Sequence, residues 1–209
     1  MPRRTRENSL AGFALALELG ADGIELDVHA TPDGVVVVHH DPGLADGTSI
    51  AATAWGELRR RESAPGVAIP TLGDVLELVS GRATVYVEVK GPRIEALVDA
   101  QLRTYAGEAA IHSFDHALIA RLHAAGCPRP LGILFDASID AIGRSMERTG
   151  AQHVWPRFSL VTPALVEAVH AHGGQVIAWT VNDPQVARRM TAAGVDGLCG
   201  DDITVFAAS

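Results

Sequence analysis

From Thr84 to Cys199 the chain alternates short β-patterned runs with helix-patterned ones, and this alternation constrains the fold more than any other feature. The β runs are Thr84–Lys90, Ala109–Ser113, Leu131–Phe135, His153–Pro156, Gln175–Val181 and Gly197–Cys199. Between them lie helical patterns at Ile94–Tyr105, Ala117–Ala125, Ile139–Arg148, Pro163–His172 and Gln185–Ala193. Strands that alternate with helices of this length form parallel sheets with helical crossovers. A weak internal echo agrees: Gly20-Ala21-Asp22-Gly23-Ile24 and Gly194-Val195-Asp196-Gly197-Leu198 each lead out of a helix into a strand.

Upstream of Thr84 the order is less regular. Asn8–Leu19 has apolar residues at helical spacing, with Asn8 or Ser9 as N-cap. A strand at Ile24–Val28 follows. His29–Gly34 reads as a turn carrying the Asp-Gly hairpin signal, and Val35–Val38 as a buried strand. Gly43–Gly66 reads as a surface excursion with a short helix near Trp55–Arg61, within a single domain spanning 1–209. Thr71 is placed to cap a helix over Leu72–Val79. The closed form of such a chain is the TIM (β/α)8 barrel, here one strand short at its start.

The first residues, Met1 to Arg6, are basic and precede an apolar run, which mimics a secretory leader. Glu18 interrupts that run, so a domain helix and a cytoplasmic protein are the preferred reading; a leader upstream of Met1 would make it secreted. No apolar run is long enough to span a membrane. A net charge of −8 argues against nucleic acid or an anionic membrane surface as the main partner. Cys127 and Cys199 form neither a metal motif nor a disulfide framework, and are expected as reduced core residues.

The chemistry gathers at strand ends. In Gly23–Val28 the residues Ile24, Leu26 and Val28 take one face, and Glu25 and Asp27 the other. Two carboxylates at that spacing repel unless a cation lies between them, and a hard divalent ion with oxygen ligands resolves the conflict. Glu88 and Lys90 share a face of a later strand. Lys90 is the only lysine among 17 basic residues, as expected where a compact ammonium cannot be exchanged for a guanidinium. His40, as a histidine, is suited to give a proton to a departing alkoxide. His112, Arg157, Trp179 and Asp201 fall at later strand ends. Each has an ordinary alternative: a capped strand end at His39-His40, a simple Glu88–Lys90 salt bridge, a core Trp179, a loop hydrogen bond at His112.

Taken together these segments resemble the glycerophosphodiester phosphodiesterase family. The resemblance lies in Glu7-Asn8-Ser9-Leu10 with Ala11, Phe13 and Ala16; in Gly20–Val28, Thr31, Asp33-Gly34 and Val37–Asp41; in Ile69-Pro70-Thr71-Leu72 and Glu88-Val89-Lys90; and in Ser113-Phe114, Trp179-Thr180-Val181-Asn182 and Gly194–Gly197. It implies a TIM barrel that hydrolyses glycerophosphodiesters to glycerol 3-phosphate and an alcohol, with one divalent cation, Mg²⁺ or Ca²⁺. By the same resemblance Glu25, Asp27 and Glu88 match the metal ligands and His40 the general acid. Lys90 matches a catalytic, phosphate-contacting position, and Trp179 an aromatic one near the substrate. The family's opening strand, ending in His-Arg-Gly, has no counterpart here, so the start reads as internal. The expected consequence is a chain with exposed strand edges, prone to homo-oligomerise and impaired in rate. The rival readings are a phospholipase of similar fold acting on lipid headgroups and a non-catalytic barrel binding phosphodiesters.

Overall fold

The computed structural model describes residues 4–137 and 141–208. The start of the helix expected from Ile139, and the basic residues Met1 to Arg3, lie outside them. The chain divides into two compact units, Met1–Ala110 and Ile111–Ser209.

In the first unit, α1 (Leu10–Glu18) leads into β1 (Gly23–Ala30) and β2 (Val36–Val38). Ser9, not Asn8, caps α1: its hydroxyl accepts from the Gly12 N–H. This frees Asn8, which sits at φ 51°, a left-handed conformation that asparagine tolerates. β1 pairs in parallel with β5 (Thr84–Val89) and antiparallel with β2. The hairpin closes on Gly34 at φ 83°, with the Gly34 N–H donating to the Thr31 carbonyl. His29 therefore belongs to the strand, not to the expected turn. The register places Asp27 beside Glu88 and Val28 beside Val89. Ile24, Leu26, Val28, Val85, Val87 and Val89 are buried on the other face, each contributing about 1.5–3 kcal/mol of apolar burial.

α3 (Leu72–Val79) begins where the sequence places it, through a capping box between Thr71 and Asp74. α1 packs against α3. The segment between β2 and α3 holds α2 (Trp55–Leu58) and the small hairpin β3 (Glu62–Ala64) and β4 (Val67–Ala68). It is more than exposed chain: Leu44, Ile50 and Leu58 are buried with Val37 and Ile69 in a cluster of their own. α4 (Glu95–Thr104) follows β5 and leads to β6 (Ala109–Ser113), where the unit ends.

The second unit continues the alternation with α5 (His116–Ala124), β7 (Leu131–Phe135), α6 (Ile142–Thr149), β8 (His153–Pro156), α7 (Pro163–Ala171), β9 (Gln175–Ala178), α8 (Pro184–Ala192) and β10 (Gly197–Leu198). Each strand pairs in parallel with the next, from Ile111 of β6 beside Leu131 to Leu198 of β10 beside Ala178. α7 and α8 open on proline, with Thr162 and Asp183 as side-chain caps. β9 stops at Ala178, short of the expected Val181, and Trp179 makes only an isolated bridge to Arg157. Cys127 and Cys199 are free thiols but half-buried, not core.

Candidate active site

The site in the first unit is built on the polar face of β1 and β5. Glu25, Asp27 and Glu88 project from that face, and Lys90 follows at the end of β5. The Lys90 ammonium lies 3.0 Å from Glu88 Oε1 and 3.4 Å from Asp27 Oδ1. Asp27 and Glu88 are buried, while Glu25 and Lys90 are half-buried. Desolvation pulls the Lys90 pKa down, but Asp27 and Glu88 outweigh it and leave the ammonium above the ordinary lysine value. The Glu25 carboxyl is pushed well above the usual range, first by burial and then by the charge of Asp27; Lys90 and His40 oppose this and do not cancel it.

Glu25, Asp27 and Glu88 thus share one face with Lys90. That set of hard oxygen donors fits a cation. A deprotonated Glu25 is penalised in the protein alone, and a divalent ion among hard oxygen donors would remove the penalty.

Asp27 is aimed by Asn8, one of the two residues that the sequence offers as N-cap of α1. Asn8 Nδ2 donates to Asp27 Oδ2 at 2.8 Å, and the Asp27 N–H donates to Asn8 Oδ1 at 3.1 Å. Asn8 lies in the Glu7-Asn8-Ser9-Leu10 motif, but only the fold brings it to β1.

His40 stands just past β2 with its ring exposed. Its Nδ1–H donates to Asp41 Oδ1 at 2.8 Å, which leaves Nε2 for proton transfer. That bond is the main reason the Asp41 carboxyl lies below the usual range. The neighbouring His39 is buried, and its Nδ1 donates to the Asp41 carbonyl at 2.9 Å. His29 is also buried; its Nε2 donates to the His40 carbonyl at 3.2 Å. Burial lowers the His29 pKa despite that bond.

The backbone explains why these groups converge. The Asp27 carbonyl accepts from the His39 N–H, and the Val28 carbonyl accepts from the N–H groups of Lys90 and Gly91. The acid segment and the lysine segment therefore both hang from two consecutive residues of β1.

In the second unit the strand-end residues do something else. His112 is a buried strand residue stacked on Trp155, with ring centroids 4.4 Å apart and planes at 14°. Gly132 makes the stack possible, because a Cβ there would lie 3.0 Å from His112 Cβ and 3.1 Å from Trp155 Nε1. Trp179 is half-buried; its indole N–H donates to the Trp155 carbonyl at 2.9 Å, and its ring meets the exposed Phe114 edge-on at 5.6 Å. Asp201 and Asn182 pair with each other through side chain and backbone.

Carboxylates and a lysine at the carboxyl ends of parallel strands mark an α/β protein of the TIM-barrel class. The match to known proteins is more particular: residues 1–205 fit the model of the glycerophosphoryl diester phosphodiesterase family, and the chain belongs to that family. A glycerophosphodiester phosphodiesterase of Caldanaerobacter subterraneus subsp. tengcongensis is 31% identical over 94% of this chain and 88% of its own length. A solved glycerophosphodiester phosphodiesterase from Agrobacterium tumefaciens matches with a TM-score of 0.87 at 26% identity, over 99% of this chain and 95% of that one. An Oleispira antarctica phosphodiesterase, solved in complex with its product sn-glycerol 3-phosphate, matches with a TM-score of 0.89 at 23% identity, covering 96% and 90% of the two chains. Among the described residues no helix is long and apolar enough to cross a membrane.

Proposed function

We propose that this protein hydrolyses glycerophosphodiesters to glycerol 3-phosphate and an alcohol, with Glu25, Asp27 and Glu88 holding one Mg²⁺ or Ca²⁺. The observation that carries the reading is the gathering of Glu25, Asp27 and Glu88 on the β1–β5 face beside Lys90, together with the displaced pKa of Glu25. Bound there, the cation would supply positive charge against the phosphoryl oxygens.

The chain's own residues do the rest. Lys90 offers a fixed point charge to a non-bridging phosphate oxygen. His40 gives its Nε2 proton to the alcohol oxygen as the P–O bond to it breaks, and Asp41 holds the ring through Nδ1. Water supplies the oxygen that completes the phosphate monoester; one of its protons stays on the phosphate and the other goes to solvent, from which His40 is reprotonated. Asn8 keeps the Asp27 carboxylate turned toward Lys90 and Glu88. Trp179, anchored by its indole bond, is proposed as an aromatic contact for the substrate.

The test is release of glycerol 3-phosphate from glycerophosphocholine, followed by a coupled assay, with Mg²⁺ or Ca²⁺ added and then chelated. Turnover that disappears on chelation and returns with the ion supports the reading. Cleavage indifferent to chelation, or a product other than glycerol 3-phosphate, overturns it.

A further inference from the structure

We infer that His29 is a positioning residue for His40, holding the main chain that carries the proposed general acid. The inference rests on the reading of His40 given above.

β1 presents Glu25, Asp27 and His29 on one face, at the strand period of two. A histidine next in line after two carboxylates would ordinarily read as a third metal ligand. The geometry gives it another task. Its Nε2 faces the His40 carbonyl at 3.2 Å, and a carbonyl only accepts, so that nitrogen carries the proton and cannot also ligate through a lone pair.

The bond falls where support is needed. The paired register of β1 with β2 ends at Val28 beside Val38, and the His39 N–H makes one more bond to the Asp27 carbonyl. Beyond that the chain turns away through Asp41 and Pro42. The His40 side chain keeps 53% of its surface exposed, so packing does little to place it, and its partner Asp41 is 70% exposed. His29, by contrast, is only 7% exposed. It is a rigid element reaching eleven residues along the hairpin to the peptide group of an otherwise poorly anchored acid. A proton donor displaced by a fraction of an ångström loses alignment with the leaving oxygen, so anchoring its backbone is a direct contribution to rate. The neighbouring His39 does not duplicate this, because its Nδ1 bonds the Asp41 carbonyl, one peptide further on.

The experiment compares wild type, His29→Leu, His29→Gln and His40→Asn on two glycerophosphodiesters: glycerophosphocholine, whose departing choline oxygen needs a proton, and the p-nitrophenyl diester, whose leaving group needs none. The leucine variant fills the space without a donor; glutamine restores one. His29→Leu is expected to lose about 10- to 100-fold in kcat on glycerophosphocholine with KM near wild type, in the range typical of residues that orient a functional group. The loss should shrink on the nitrophenyl substrate, as it should for His40→Asn, and His29→Gln should recover most of it.

Equal loss on both substrates in His29→Leu, or a glutamine variant no better than leucine, overturns the inference. If wild type releases glycerol 3-phosphate from neither substrate, the proposed function fails instead. The inference then stands or falls on NMR of the same variants: the amide signals of His40 and Asp41 should shift and broaden in His29→Leu and return in His29→Gln, with α3 unchanged. His40 signals undisturbed in His29→Leu would sink it regardless of turnover.

Discussion

The strand ends of the first unit carry charge; those of the second carry rings. In the first, Glu25, Asp27, Glu88 and Lys90 crowd one face at the expense of electrostatic comfort, and Glu25 bears the cost as a raised pKa. In the second, His112 lies flat on Trp155, Phe114 stands against Trp179, and Asn182 satisfies Asp201. Both units grow from the same strand–helix alternation. The difference teaches that the alternation decides where strand ends fall, while the residue types there decide whether a place is strained and reactive or packed and settled. Like charges gathered on one strand face, with a displaced pKa among them, mark a candidate functional site.

The comparison breaks if charge removal in the first unit harms folding more than turnover. Substituting Glu88→Gln or Asp27→Asn is expected to abolish turnover and cation binding together, measured by the coupled assay and by calorimetric titration, with the fold retained by circular dichroism. Lys90→Met should cost on the order of 10²–10³ in kcat, the loss typical of one fixed group that stabilises developing charge.

In the second unit the effect should move to stability. Trp155→Ala removes a buried ring on which His112 stacks and keeps the carbonyl that Trp179 bonds; it should cost about 3–5 kcal/mol in denaturant unfolding.

Glu25 sharpens the contrast through pH. Its folded pKa is raised, so the stability linked to its proton is present below the ordinary carboxylate pKa and is lost as pH rises through the higher folded value. Metal-free protein should therefore lose stability across that window, and Glu25→Gln should not. Saturating Mg²⁺ or Ca²⁺ should flatten the wild-type slope, because the ion replaces the proton.

His153 in the second unit should show the opposite sign. Burial, helped by His112 and opposed by Asp196, lowers its pKa. The stability tied to its neutral form is present above the ordinary histidine pKa of about 6.5 and is lost as pH falls from there through the lower folded value. Unfolding curves of His153→Gln should lack that acidic slope. The smallest effect expected is Thr71→Ala, about 1 kcal/mol for a lost N-cap, in thermal or denaturant unfolding and with no change in KM.

Sequence alone determined the order of elements, the α/β class, and most element limits in the second unit, because hydrophobic period, prolines and caps act over a few residues. Leu131–Phe135 and His153–Pro156 needed nothing more, nor did Leu72–Val79 in the first unit. It also placed Glu25, Asp27, Glu88 and Lys90 on common faces, since a strand alternates its side chains whatever lies around it. Only the tertiary structure decided that Asn8 serves Asp27 and not α1, that His29 lies in the strand and bonds the His40 carbonyl, and that His112 packs on Trp155 across Gly132. Each of those bonds joins residues eleven or more positions apart. Local propensity carries no term for such partners; they are chosen when strands pair in register and burial leaves a polar atom one neighbour to meet.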